Sequence, residues 1–240
     1  MLSGDEYSRH ENKSKLHKIT CLTVLSRTWR LNSFDDDMRN FIKSKYDILE
    51  DNELNFWTGK LYSKQQDTES AIKYYEISSD RGNINALVEL GNIYYFNPYM
   101  RDVDKAIAYY EMASNMGNRV AHTELGNIYS FESGKIDIPK SFKYYKMGSD
   151  QGDSVAHAQL GNIYRHEQDF KDINKSIEYY RMAVDEGCSV SMRELGHIYR
   201  DEISVRNINT AIEYYKMAAD NGDSIAREEL EKIISDKYLQ

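Results

Sequence analysis

The chain has 240 residues, 40% of them apolar and 29% charged, a balance that suits a core-forming chain and argues against a membrane span or wholesale disorder. Its formal charge of −8, from 39 acidic and 31 basic side chains, argues against a protein that grips phosphate backbones, so no nucleic-acid partner is expected. Cys21 and Cys188 cannot build a disulfide framework and the charged start lacks the apolar core of a signal peptide, so a cytoplasmic location is the expectation.

Residues 1–33 read as a basic, flexible N-terminal arm, with six Lys or Arg against the single acid Glu11 between Arg9 and Arg30. The alternative is a basic element that docks on an acidic partner or on the acidic repeats; the apolar run Cys21 to Leu25 is too short to cross a bilayer. Over 34–52, Phe34, Met38, Phe41, Ile42, Tyr46 and Leu49 recur at helical spacing. They predict an N-terminal capping helix, whose start at Asp35, Asp36 and Asp37 suits the helix dipole.

From 53 to 225 the sequence keeps a ruler of 35 residues. Tyr-Tyr falls at 74/75, 109/110, 144/145, 179/180 and 214/215, and glycine at 82, 117, 152, 187 and 222. A second glycine, at 59, 91, 126, 161 and 196, is followed three residues later by tyrosine; only the first unit is short, by three residues. The units are 53–85, 86–120, 121–155, 156–190 and 191–225.

Each unit reads as two helices. In helix A, Ala86, Leu90, Ile93 and Tyr94 share one face, and the mid-helix glycine implies close approach of a neighbour. Helix B begins at an N-cap (Asp67, Asp102, Asp137, Asp172 or Asn207) and ends at a glycine suited to a left-handed cap. Ala106, Ile107, Tyr110 and Ala113 should be buried, and the row Ile77, Met112, Met147, Met182 and Met217 should pack between repeats. Residues 226–240 read as a C-terminal capping helix with Ala226, Leu230, Ile233 and Ile234 on one face.

The run Leu-Gly-x-x-Tyr, then Asp-x-x-Lys-Ala/Ser-x-x-Tyr-Tyr-x-Met-Ala, then Gly resembles the Sel1-like repeat, a relative of the tetratricopeptide repeat. The resemblance implies an all-α, right-handed α-solenoid of stacked helical hairpins, concave on the A-helix side, in a family of adaptors and scaffolds mostly without catalysis. Tyr-Tyr stands where the family often has Trp-Tyr, and the family's Gly-x-Gly loop is mostly missing, leaving only Gly134.

No phosphate loop, nucleophile elbow or metal-type Cys/His spacing is present, so no enzyme activity, cofactor or metal is expected. His122 and His157 are equivalent positions of neighbouring repeats, read as packed or surface residues rather than a metal pair; Cys188 reads as a lost cap. The resemblance places the residue after the helix A glycine, Lys60, Asn92, Asn127, Asn162 or His197, in the concave groove. An asparagine there can meet the backbone of an extended peptide through donor and acceptor, or merely solvate the groove or bond to the adjacent repeat. Flanking it are Tyr95, Phe96 and Phe131, then Arg165, His166 and Arg200, which suggest a partner with an apolar anchor and an acidic or carboxylate end. The expected function is therefore a non-enzymatic adaptor that binds a protein segment in the groove. The alternative is a regulatory subunit that uses its acidic, tyrosine-rich outer B helices or its basic arm.

Overall fold

A computed structural model describes residues 52–238, so the arm expected over 1–33 and almost all of the capping helix expected over 34–52 lie outside the described residues. Those described form eleven α-helices, two short 3-10 turns and no strand. In chain order the helices are α1 (Asn52–Lys64), α2 (Thr68–Asp80), α3 (Ile84–Phe96), α4 (Val103–Asn115), α5 (Arg119–Phe131) and α6 (Ile138–Ser149). They continue as α7 (Ser154–His166), α8 (Ile173–Asp185), α9 (Ser189–Asp201), α10 (Ile208–Asp220) and α11 (Ser224–Tyr238). Odd-numbered helices are A helices, even-numbered ones B helices. The chain divides into two compact units, one ending at Ile93 and one beginning at Tyr94.

In the first unit α1 packs on α2. Gly59 is the seat for the buried Tyr75 ring, since a Cβ there would lie 2.7 Å from Tyr75 Cδ1. The loop between these helices is the short one; it turns through Gln66 at φ 64° and closes with the Asp67 N–H donating to the Tyr62 carbonyl at 3.1 Å.

In the second unit helices from α4 to α11 pack on their neighbours in sequence, and α5 also touches α7, so each repeat meets the next along an unbranched stack. The same seat recurs: a Cβ at Gly126, Gly161 or Gly196 would fall 2.5–2.7 Å from the rings of Tyr145, Tyr180 and Tyr215, which are fully buried. The first tyrosine of each pair stacks on the helix A tyrosine of its own hairpin: Tyr94 on Tyr109, Tyr129 on Tyr144, Tyr164 on Tyr179 and Tyr199 on Tyr214, with centroids 5.5–5.8 Å apart. Lys105, Lys140 and Lys175 stand over the helix A ring at 5.0, 4.3 and 5.2 Å, adding cation–π attraction to the stack.

All five B-helix caps form as the spacing predicts: Asp67, Asp102, Asp137, Asp172 and Asn207 each accept from the N–H three residues on. The caps' own N–H groups return to the helix A tyrosine carbonyl, as in Asp172 to Tyr164 at 2.7 Å, which closes each hairpin. At the other end Gly117 takes φ 81°, and the N–H of Asn118 reaches the Ala113 carbonyl at 3.0 Å, a Schellman closure that the other B helices share.

One packing expectation is corrected. The row is not uniformly packed between repeats: Met112 is 52% exposed and Met182 and Met217 are exposed as well, whereas Ile77 and Met147 are half-buried. The buried B-helix face is already filled by Ala106, Tyr110, Ala113 and Ser114. Met112 follows Tyr110 by two residues, which turns it away from that face.

Gly161→Ala tests the tyrosine seat. A glycine replaced by alanine inside a helix normally gains about 1 kcal/mol; here overpacking against a ring that cannot move should instead cost about 1–3 kcal/mol, read as a lower urea midpoint. A higher midpoint would mean that the ring is not seated there.

Candidate partner-binding face

Seating a tyrosine ring against the helix A glycine brings its hydroxyl out beside the next residue of helix A. The Tyr145 hydroxyl donates to Asn127 Oδ1 at 2.8 Å and that of Tyr180 to Asn162 Oδ1 at 2.6 Å. Each amide in turn donates from Nδ2 one turn back, Asn127 to Glu124 at 3.3 Å and Asn162 to Gln159 at 2.9 Å. In the last repeat His197 Nδ1 meets the Tyr215 hydroxyl at 2.9 Å and Arg200 Nη2 at 3.2 Å. Because a guanidinium only donates, Nδ1 is the acceptor and the proton sits on Nε2; burial, with the Arg200 charge, holds His197 below the usual histidine range. Burial also pushes the Tyr145, Tyr180 and Tyr215 hydroxyls well above the usual tyrosine range. These polar positions thus serve the fold first. Each half-buried asparagine keeps one N–H and one lone pair beyond these bonds.

The first unit departs from the pattern. Lys60 Nζ bonds to Glu89 Oε1 at 2.7 Å instead of a tyrosine, and the buried Tyr75 hydroxyl has no hydrogen-bond partner among the described residues. Asn92 is half-buried on α3.

A second row, which the sequence alone does not single out, recurs every 35 residues on the A helices: Glu89, Glu124, Gln159, Glu194 and Glu229, the first four standing three residues before Asn92, Asn127, Asn162 and His197. The 35-residue ruler contains it, but no single pair of acids stands out from an acidic surface. It absorbs the basic cluster expected to receive a partner's carboxylate. Arg165 is paired with Glu194 at 2.6 Å, and Arg200 with both Glu229 and Asp201. Asp201 holds the Arg200 guanidinium far up in pKa, and Arg200 in return holds the Asp201 carboxyl below its usual range. His166 is exposed at the end of α7. Glu124 alone among the acids of this row has no ion-pair partner among the described residues, and burial, reinforced by the charge of Asp153, raises it above the usual glutamate range.

The aromatic flank is partly free. Tyr95 donates to Glu132 at 3.2 Å under the Arg101 guanidinium, which itself pairs with Glu132 at 2.6 Å. Phe96 and Phe131 are 62% and 65% exposed at the ends of α3 and α5.

The two histidines are buried packing residues. His122 Nδ1 meets Ser114 Oγ at 2.9 Å and burial lowers its pKa; His157 Nε2 lies 3.2 Å from the Ser149 carbonyl. Cys188 sits at the N-cap of α9 without a side-chain cap bond, where Asn118 and Asp153 cap the equivalent helices. Among the described residues no group of three or more His, Cys, Asp or Glu side chains could hold a metal ion, and no helix is long and apolar enough to cross a membrane.

The family model for the Sel1 repeat matches the sequence five times, over residues 55–83, 84–118, 119–153, 154–188 and 189–223. The structure is similar to that of a Sel1 repeat protein from Oxalobacter formigenes, with 26% identity, 81% of this chain and 82% of that chain covered, and a TM-score of 0.68. It is also similar in fold to a protective antigen present in uropathogenic Escherichia coli strains that displays an SLR fold, with 24% identity and a TM-score of 0.71. That match covers 76% of this chain and 41% of the antigen, so the chain spans less than half the antigen's length. No curated protein matches the sequence.

Two measurements check this geometry. Asn162→Ala should cost about 1–3 kcal/mol by orphaning the buried Tyr180 hydroxyl, and Tyr180→Phe in the same chain should recover most of it; additive losses in a urea double-mutant cycle would refute the coupling. For Glu124 the folded-state pKa is raised, so its neutral form favours folding below the unfolded value and that contribution is lost as pH rises through the folded one. Glu124→Gln should therefore raise the melting temperature at neutral pH, with the gain vanishing at about pH 3, below the ordinary glutamate range.

Proposed function

The chain belongs to the Sel1 repeat family, and on that premise we propose that it is a non-enzymatic adaptor whose A-helix face receives an extended segment of a partner protein in a concave groove. Sel1 repeats generally mediate protein–protein interaction. The observation that carries the reading is the exposure of Phe131 and Phe96, large aromatic groups that the hairpin cores leave outside. Phe131 stands four residues past the half-buried Asn127 on α5, so an apolar anchor and an amide for the peptide backbone share one helix face. In the second unit the proposed groove positions are Asn127, Asn162 and His197, flanked by Tyr95, Phe96, Phe131, Arg165, His166 and Arg200; Lys60 and Asn92 hold the equivalent places in the first.

An acidic or carboxylate end on the partner is the less favoured detail, because it would have to displace Glu194 from Arg165 or Glu229 from Arg200. Buried or half-buried pairs of this kind are costly to break.

A second reading has an observation of its own. The outer B helices expose Met112, Met182 and Met217, a row of flexible apolar side chains suited to a partner surface. A regulatory subunit that binds through this face would use them and leave the groove empty.

A photo-crosslinking amino acid placed at Phe131 in one preparation and at Met182 in another separates the two in a cognate lysate. Crosslinks to the same protein from position 131 alone are the expected outcome; crosslinks from 182 alone would move the function to the outer face.

A further inference from the structure

In the row of acids on the A helices, the charge is normally balanced from within the chain by a cation 29 residues earlier. Lys60 serves Glu89 in the first unit; Arg165 serves Glu194 and Arg200 serves Glu229 in the second. At Gln159 there is no charge to balance. The remaining acid is Glu124, and the residue 29 positions before it is Tyr95, which has no charge and turns its hydroxyl to Glu132. The Glu124 carboxylate accepts a hydrogen bond from the Asn127 amide at 3.3 Å.

The fold does not require the charge at this position, since Gln159 occupies the equivalent place one repeat on and accepts from Asn162 just as Glu124 accepts from Asn127. A half-buried carboxylate without a counter-ion is costly in the free protein and attractive to a cation that arrives with its solvation partly shed. Phe131 lies seven residues further along α5, two turns on the same face, where it can cover the aliphatic part of a long side chain. The wider field agrees: residues 1–51 hold equal numbers of acidic and basic side chains, so the whole net charge of −8 falls on residues 52–240.

We infer that Glu124 is the anchor for a cationic side chain, lysine or arginine, of the partner segment, in the place where the neighbouring repeats use a cation of their own chain. This rests on the groove binding proposed for the A-helix face and names the chemistry of one of its contacts. The partner supplies the missing ion pair, with its charged head on Glu124 and its stem toward Phe131.

The test uses the full chain and four fluorescein-labelled nonapeptide pools, each with Arg, Lys, Gln or Glu fixed at the centre and uncharged residues randomised elsewhere, read by fluorescence anisotropy. The Arg and Lys pools should bind about tenfold more tightly than the Gln pool, and the Glu pool more weakly still. Glu124→Gln should bring the Arg, Lys and Gln pools to within about twofold of one another. Tyr95→Arg, which supplies from the chain the cation that Arg165 gives Glu194, should do the same with helical circular dichroism unchanged. Glu194→Gln should keep the preference. No binding by any pool, no preference in the wild-type chain, or the same preference in Glu124→Gln overturns the inference. Crosslinking from position 131 together with charge-indifferent pool binding would leave the groove reading standing and remove only Glu124 from it.

Discussion

The contact between a helix B tyrosine ring and a helix A glycine determines how close the two helices of a hairpin can come. With no Cβ at Gly126, Gly161 or Gly196, the rings of Tyr145, Tyr180 and Tyr215 lie directly against the opposing backbone and are fully buried. A buried ring that carries a hydroxyl must also find that hydroxyl a partner. In the last three repeats the residue next to the glycine, Asn127, Asn162 or His197, supplies it. In those repeats one steric requirement thus generates both the core and the polar row on the A-helix face.

Repeats built in this way are joined mainly by contacts between sequence neighbours, so stability accumulates along the stack rather than around a central core. Ion pairs between successive repeats, such as Arg101 with Glu132 at 2.6 Å, add geometric register more than energy where they are exposed. Other pairs are better shielded, among them Arg193 with Asp223 at 2.6 Å. Arg165 with Glu194 is largely shielded from water, so each partner is held in place by the cost of leaving the other unpaired. A face of this kind is mostly satisfied by its own chain, and the acid row departs from that where the periodic partner is missing.

A row of asparagines suggests a ladder of backbone contacts, yet half of each amide is spent inside the hairpin. A basic pair suggests an acidic ligand, yet both arginines are neutralised by acids of the following repeat. On the A helices, among the described residues, Phe96 and Phe131 present aromatic surface, and Glu124 is the acid of its row without an ion-pair partner.

Nearly all of the fold was legible in the residues, because a repeat states its own period: the five Tyr-Tyr pairs, the two glycine series and the five caps locate every hairpin, and local rules for N-caps and left-handed glycines give the helix ends. Sequence periodicity cannot say on which side of helix B the methionine row falls, since a helical stripe of apolar residues reads the same whether it is covered or bare; there the neighbours' packing decided, and Met112 is exposed. The site was legible only as positions. That Asn127, Asn162 and His197 share one place in the repeat is written in the spacing, whereas the identity of their partners is not. Hydrogen bonds such as that from Tyr180 to Asn162, 18 residues apart, and ion pairs such as that from Arg165 to Glu194, 29 apart, form only when helices meet. The sequence alone determined the repeat, its caps and its aromatic seats, because those are local and periodic. Only the tertiary structure decided which polar groups are spent and which remain, because that depends on what each side chain faces across a helix boundary.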